Sequence, residues 1–273
     1  MNLIPEMVRI ALLGGILAVD RAAGWSTMLS QPLVGACLAG ALVNPGPEWE
    51  LWALRVPIGV GAILQLLLTD ASLPAAQRHH DTATAGVVGS TVALLGMVRL
   101  HSQIPAALGG ALWVLLGVTA GLLAAIVGGW VMGYHRARSR RDVARAEELV
   151  QDDSSLGDAG LADALEGIRA ERKPAARFEH LYWKAMGRVF LLGAFWSWAG
   201  SLIGLMIAIA VLPALGEWLT GRRIGFLFAT TLGAALAAGY HAHVRSRRAG
   251  GRWMALGAAV ALVLLAVAQQ TSS

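Results

Sequence analysis

The chain has 273 residues, of which 56% are apolar and only 14% charged, with a mean hydropathy of +0.59. A soluble domain carries about a quarter charged residues, so the composition excludes a disordered chain and points to a polytopic membrane protein. One cysteine, Cys37, excludes an internal disulfide. The formal net charge of +5 is no nucleic-acid footprint. Eleven of the 22 Lys and Arg residues lie between Tyr134 and Arg188 and four more between Val244 and Arg252, flanking apolar stretches. That is the pattern of cytoplasmic loops facing anionic lipid. The arginines of His135 to Arg141 have no base-reading or aromatic residues among them, so nucleic acid is not expected as a partner.

In chain order, Met1 to Val19 reads as a first membrane helix that is retained. It lacks a basic leader, and Asp20 and Arg21 follow it without a small-residue cleavage pattern. Pro32 to Val43 is apolar but too short to span a bilayer, which takes about 20 residues. Asn44-Pro45-Gly46-Pro47 ends it, and Leu51 to Thr69 follows, interrupted by Arg55 and Pro57. Short apolar segments joined by a Pro/Gly turn predict a re-entrant helical hairpin over about 32–68, which in a transporter marks a substrate site. The alternative is a pair of ordinary tilted helices.

Thr82 to Val98 is the next apolar run. The stretch after it, Leu100 to His135, allows a helix from Pro105 to Tyr134 longer than the hydrocarbon core, so it must tilt, kink or protrude. Charges crowd residues 136–177, with expected helices from Asp142 to Gln151 and Asp158 to Ala170. Their reading is a cytoplasmic polar connector, with a docking surface for a soluble partner as the alternative. Val189 to Val211, Ile224 to Tyr240 and Trp253 to Ala268 then read as membrane helices running outward, back and outward. Arg222 and Arg223, on the outer side of that topology, are discordant. The expected fold is an all-α integral membrane protein, a polytopic helical bundle. Its parts are an N-terminal membrane region (1–135), the connector (136–177) and C-terminal membrane helices (178–273). Glycine pairs four apart, Gly117 and Gly121, Gly129 and Gly133, Gly200 and Gly204, predict close helix crossings.

Polar residues inside apolar segments are the candidate site. Gln65 and Thr69 lie four apart, on one helix face, and both can hydrogen-bond sugar hydroxyls; bonding between helices is the alternative. Asp81 opens the run from Thr82 as a helix cap, a ligand-binding carboxylate, or both. Gln31, Asp70, His79 and His80 stand nearby in sequence. Adjacent histidines point apart, and His241 and His243 are two apart, so neither pair has metal-ligand spacing. Cys37 has no basic neighbour and reads as an inert thiol.

The run Gln31-Pro32-Leu33-Val34-Gly35-Ala36-Cys37-Leu38-Ala39-Gly40-Ala41-Leu42 resembles the short helix after the first membrane segment of subunit IIC of the mannose/fructose/sorbose-type phosphotransferase-system permeases. Gly61 to Leu66, followed by the loop Asp70 to Asp81, is similar to that family's second arm. Glu179 to Arg188 and Leu212-Pro213-Ala214-Leu215-Gly216 through Gly221 match later segments in the same order. The chain departs from the family at Gln31, where the family has arginine, at Gln65, where it has glutamate, and at Asn44-Pro45, where it has Gly-Asp.

The resemblance implies a sugar-translocating membrane subunit, multi-pass in the bacterial inner membrane and homo-oligomeric. It would work with a IID membrane subunit and with soluble IIA and IIB units that relay phosphate to the sugar. It implies no cofactor and no catalytic nucleophile in this chain, with Gln65 and Asp81, assisted by Thr69, contacting the substrate. The departures support an alternative, a non-transporting regulatory or scaffolding relative. A third reading, an unrelated membrane enzyme using His79, His80 and Asp81, rests on those three residues alone.

Overall fold

The computed structural model describes residues 3–22, 31–43, 51–68, 81–100, 106–154, 163–215 and 220–244. Among these the chain is all-helical: α1 (Leu3–Ala22), α2 (Pro32–Val43), α3 (Leu51–Leu68), α4 (Thr82–Leu100), α5 (Ala106–Ser154), α6 (Asp163–Leu215) and α7 (Gly221–Val244). Thr69, Asp70, His79, His80 and the expected last helix Trp253 to Ala268 lie outside the described residues.

The central element is α4, where every residue from Asp81 to Met97 is buried. Its sequence explains this position. Alanine, glycine, valine, serine and threonine give a thin helix that others can approach from all sides. Two of its hydroxyls bond within the helix: Thr91 donates to the Val87 carbonyl at 2.7 Å and Ser90 to the same oxygen at 3.3 Å.

Glycines set the crossings around α4. Gly89 and Gly117 meet where α4 and α5 cross, and a Cβ on either would lie 2.6 Å from the other's carbonyl oxygen. One turn along, a Cβ on Gly121 would lie 2.7 Å from the Ala85 carbonyl and 2.6 Å from a Leu64 methyl of α3. Gly200 and Gly204 of α6 pack against Val88 and Val92 of α4. Gly117 with Gly121 and Gly200 with Gly204 are thus crossing sites, whereas Gly133 of the remaining pair has open space beside it.

The contacts also fix directions. Residues 85, 89 and 96 of α4 meet 121, 117 and 113 of α5, so the two helices are antiparallel. Gly14 and Ala18 of α1 meet Ser197 and Gly193 of α6, again antiparallel. Helices α2 and α3 form an antiparallel pair: Gly40 meets the Pro57 ring, and Gly61 meets Leu33 and Ala36. Pro57 is inside α3 and fully buried, and Gly40 makes room for its ring, since an added Cβ would stand 2.7 Å from Pro57 Cγ.

Among the described residues, two helices are long and apolar enough to cross a membrane, over Gly110–His135 (26 residues) and Glu179–Leu212 (34 residues). Helix α1 and α2, with parts of α3 and α4, are shorter or carry more charge. Fewer than half of the residues in either spanning window are buried, unlike the core helix of a soluble protein. Large apolar side chains instead face outward at helical spacing. They include Ile4, Val8, Leu12 and Ile16 on α1, Leu123, Val127 and Trp130 on α5, and Leu191, Phe195, Trp198, Leu202 and Met206 on α6. The interior is apolar as well, with Ile10, Leu17, Leu64 and Trp113 fully buried, so these helices carry large apolar side chains on both their inner and outer faces.

The connector differs in detail from its expected form. Residues 142–151 are not a separate helix but the continuation of α5, which runs 19 residues beyond His135 to Ser154. The second expected helix, from Asp163 on, belongs to α6, and its expected start at Asp158 lies outside the described residues. Alanine, arginine and glutamate have high helix propensity, so both helices continue past their apolar parts. At 1.5 Å per residue, α5 extends about 28 Å beyond His135.

Candidate functional site at the start of α4

The carboxylate of Asp81 is buried (3% exposed) and caps α4. Oδ1 accepts from the Thr84 backbone N–H at 3.3 Å, and Oδ2 accepts from the Thr84 hydroxyl. The Asp81 carbonyl accepts the Ala85 N–H at 3.2 Å, and its own N–H donates to the Ala125 carbonyl of α5 at 2.9 Å. An aspartate so placed satisfies donors that the first helical turn leaves open.

The adjacent α5 carbonyl, that of Ala124, accepts from the indole Nε1 of Trp196 on α6 at 3.2 Å. Both partners reach α5 because residue 128 is glycine. A Cβ there would lie 3.0 Å from Trp196 Nε1, 3.0 Å from Asp81 Cβ and 3.1 Å from Asp81 Oδ2. Gly128 is therefore the seat on which α4 and α6 both rest. Trp196 is the residue that sequence reasoning missed. Its partner lies 72 positions away, and the only local trace of the arrangement is the Gly128-Gly129 pair in an apolar helix.

Helix α2 begins beside this node. The Gly35 N–H donates to the Gln31 carbonyl at 2.9 Å, closing the first turn. The Pro32 carbonyl rests against Gly86, in the second turn of α4, and no side chain at residue 86 could share that space. Gln31 itself is exposed. The starts of α2 and α4 are thus neighbours, level with residues 121–128 of α5, well short of its apolar end at His135.

Gln65 is half-buried on α3. Its neighbour Leu64 packs against Gly121 together with the Ala85 carbonyl, while Leu66 packs against Gly239 of α7. The described pair Gln65 and Asp81 therefore comes to the same end of the bundle, where α3 ends and α4 begins. Two further polar features escaped the sequence reading. Glu6 is buried on α1 and its Oε2 has no hydrogen-bond partner among the described residues; the same holds for the hydroxyls of Ser197 and Ser201 on α6. Among the described residues no group of three or more His, Cys, Asp or Glu side chains could hold a metal ion.

In comparisons with known proteins, no family model, no curated protein and no solved structure matches the chain.

Proposed function

We propose that the chain is a polytopic membrane protein of the bacterial inner membrane, acting as the IIC-like translocation subunit of a sugar phosphotransferase system. Its partners would be a IID membrane subunit and the soluble IIA and IIB phosphocarriers. The observation that carries this reading is the meeting of two helix starts, α2 at Pro32 and α4 at Asp81, inside the bundle and toward the end where Gln65 lies on α3. Broken helices at membrane depth are tolerated only where they are buried in protein or line a cavity, and transporters place polar substrates at such breaks. The outward apolar shell of α1, α5 and α6 supports the membrane part. The basic residues that follow His135 support a cytoplasmic position for 136–177. In this reading the pair α2–α3 is the re-entrant hairpin, and Gln65 and Asp81, with Thr69, contact sugar hydroxyls.

The test is uptake of labelled sugar into vesicles holding the chain and a IID subunit, with IIA, IIB and phosphoenolpyruvate supplied. Asp81→Asn keeps a capping oxygen while removing the charge, so it separates binding from folding better than Asp81→Ala. Uptake by Asp81→Asn should fall at least tenfold, because hydrogen bonds to a charged acceptor contribute about 1.5–3 kcal/mol. Equal uptake by this variant and the parent removes Asp81 from the site.

One observation favours the alternative of a regulatory or scaffolding relative. Both Asp81 carboxylate oxygens already accept hydrogen bonds from Thr84. No uptake of any sugar with all partners present would support that alternative.

A further inference from the structure

The exposed faces of α5 and α6 change character together at one height. On α5 the outward stripe runs Leu123, Val127, Trp130 and Tyr134, then continues at the same spacing to exposed Arg138 and Arg141. On α6 the outward stripe runs from Met206 through Leu202, Phe195 and Leu191 to exposed Trp183 and Lys184. The two helices are antiparallel, since Trp196 bonds to Ala124 and Val189 shares one buried cluster with Met132 and Ala18. That pairing sets Tyr134 to Arg138 level with Trp183 and Lys184.

Trp130 is 83% exposed, Tyr134 72% and Trp183 63%. Rings so exposed belong at a membrane–water interface, where one edge is apolar and the other wet. Gly133 and Gly187 stand at this same height, and a Cβ on either would meet nothing within 4 Å. Both helices therefore have open space beside the rings where the cations begin.

We propose that Arg138, Arg141 and Lys184, flanked by Tyr134 and Trp183, bind a phosphate group, and that its source is the headgroup of an anionic phospholipid. Arginine matches phosphate oxygens with paired donors, the rings hold the glycerol region, and the apolar stripe above receives the acyl chains. This inference rests on the membrane part of the proposed function and not on sugar transport. Arg140 is also exposed but lies on the other side of α5, two residues from Arg138, and serves as an internal control.

The experiment is native mass spectrometry of the full chain released from nanodiscs of mixed phosphatidylcholine and phosphatidylglycerol. The parent should retain phosphatidylglycerol in preference to phosphatidylcholine. The triple variant Arg138→Gln/Arg141→Gln/Lys184→Gln should lose that preference by about 100-fold, about fivefold per cation removed near a charged surface, while Arg140→Gln keeps it. A thermal melt of the triple variant matching the parent shows that the fold is intact. No preference in the parent, or the same preference in the triple variant, overturns the proposal. Loss of the bound lipid to excess inorganic phosphate would reassign the site to soluble phosphate and overturn the lipid source. Release of the parent chain from membranes by alkaline carbonate would instead overturn the bilayer reading on which the proposal stands.

Discussion

Replacing Gly117 by alanine tests the packing that positions the start of α4. The new methyl would lie 2.6 Å from the Gly89 carbonyl oxygen and 2.9 Å from both Ala93 Cβ and a Val60 methyl. Ordinary van der Waals contact begins at 3.4 Å, so the overlap with the oxygen is about 0.8 Å. Gly89 is backbone, which cannot rotate aside, so α4 and α5 must separate. Overpacking of this kind destabilises by about 1–3 kcal/mol. Alanine also favours the helix over glycine by about 1 kcal/mol. Gly110 lies on the same helix with nothing within 4 Å of its virtual Cβ, so Gly110→Ala carries the second effect alone. Gly117→Ala should therefore be less stable than Gly110→Ala by about 1–3 kcal/mol, read as a lower melting temperature in tryptophan-fluorescence melts of the purified protein. Equal melting temperatures for the two variants would show that α4 and α5 do not cross at Gly89 and Gly117.

Other substitutions probe the node at Asp81. Asp81→Ala removes the cap of α4 and should destabilise by about 0.5–2 kcal/mol, whereas Asp81→Asn should recover most of that; the same melts decide, and equal losses would argue against capping. Trp196→Phe removes the indole donor to Ala124 and should destabilise by about 0.5–1.5 kcal/mol, with no loss expected if the indole faces solvent. Gly128→Val would place side-chain atoms among Asp81 Cβ, Asp81 Oδ2 and Trp196 Nε1. It should destabilise more than either single change, and a neutral outcome would place α4 and α6 away from α5 at this point.

The helices were legible because apolar runs ended at charged or turn residues, and the break between Val43 and Leu51 was visible in Asn44-Pro45-Gly46-Pro47. The lengths of α5 and α6 were not. Their charged portions lose the apolar signal while keeping helix-forming residues, so hydropathy sees a boundary where the backbone has none. Asp81 was readable as a cap from the threonines and alanines after it. The bond from Trp196 to Ala124 was not, because nothing local to either residue reports a neighbour 72 positions away. Glycine spacing behaved likewise. It found the crossings at Gly117 and Gly200 but could not tell them from Gly133, which meets open space, because spacing carries no information about which side of a helix has a neighbour.

Cysteine accessibility in intact inside-out membrane vesicles, which expose the cytoplasmic face, addresses the whole account most directly, in a Cys37→Ala background. Cysteines at Leu191, Val127 and Val8, on the outward apolar faces, should resist a membrane-impermeant maleimide, while Arg138→Cys and Gln65→Cys should react. Fast labelling at Leu191 and Val127 would mean that the apolar shell meets water, and an unreactive Gln65→Cys would mean that no polar path reaches the end of α3 beside Asp81.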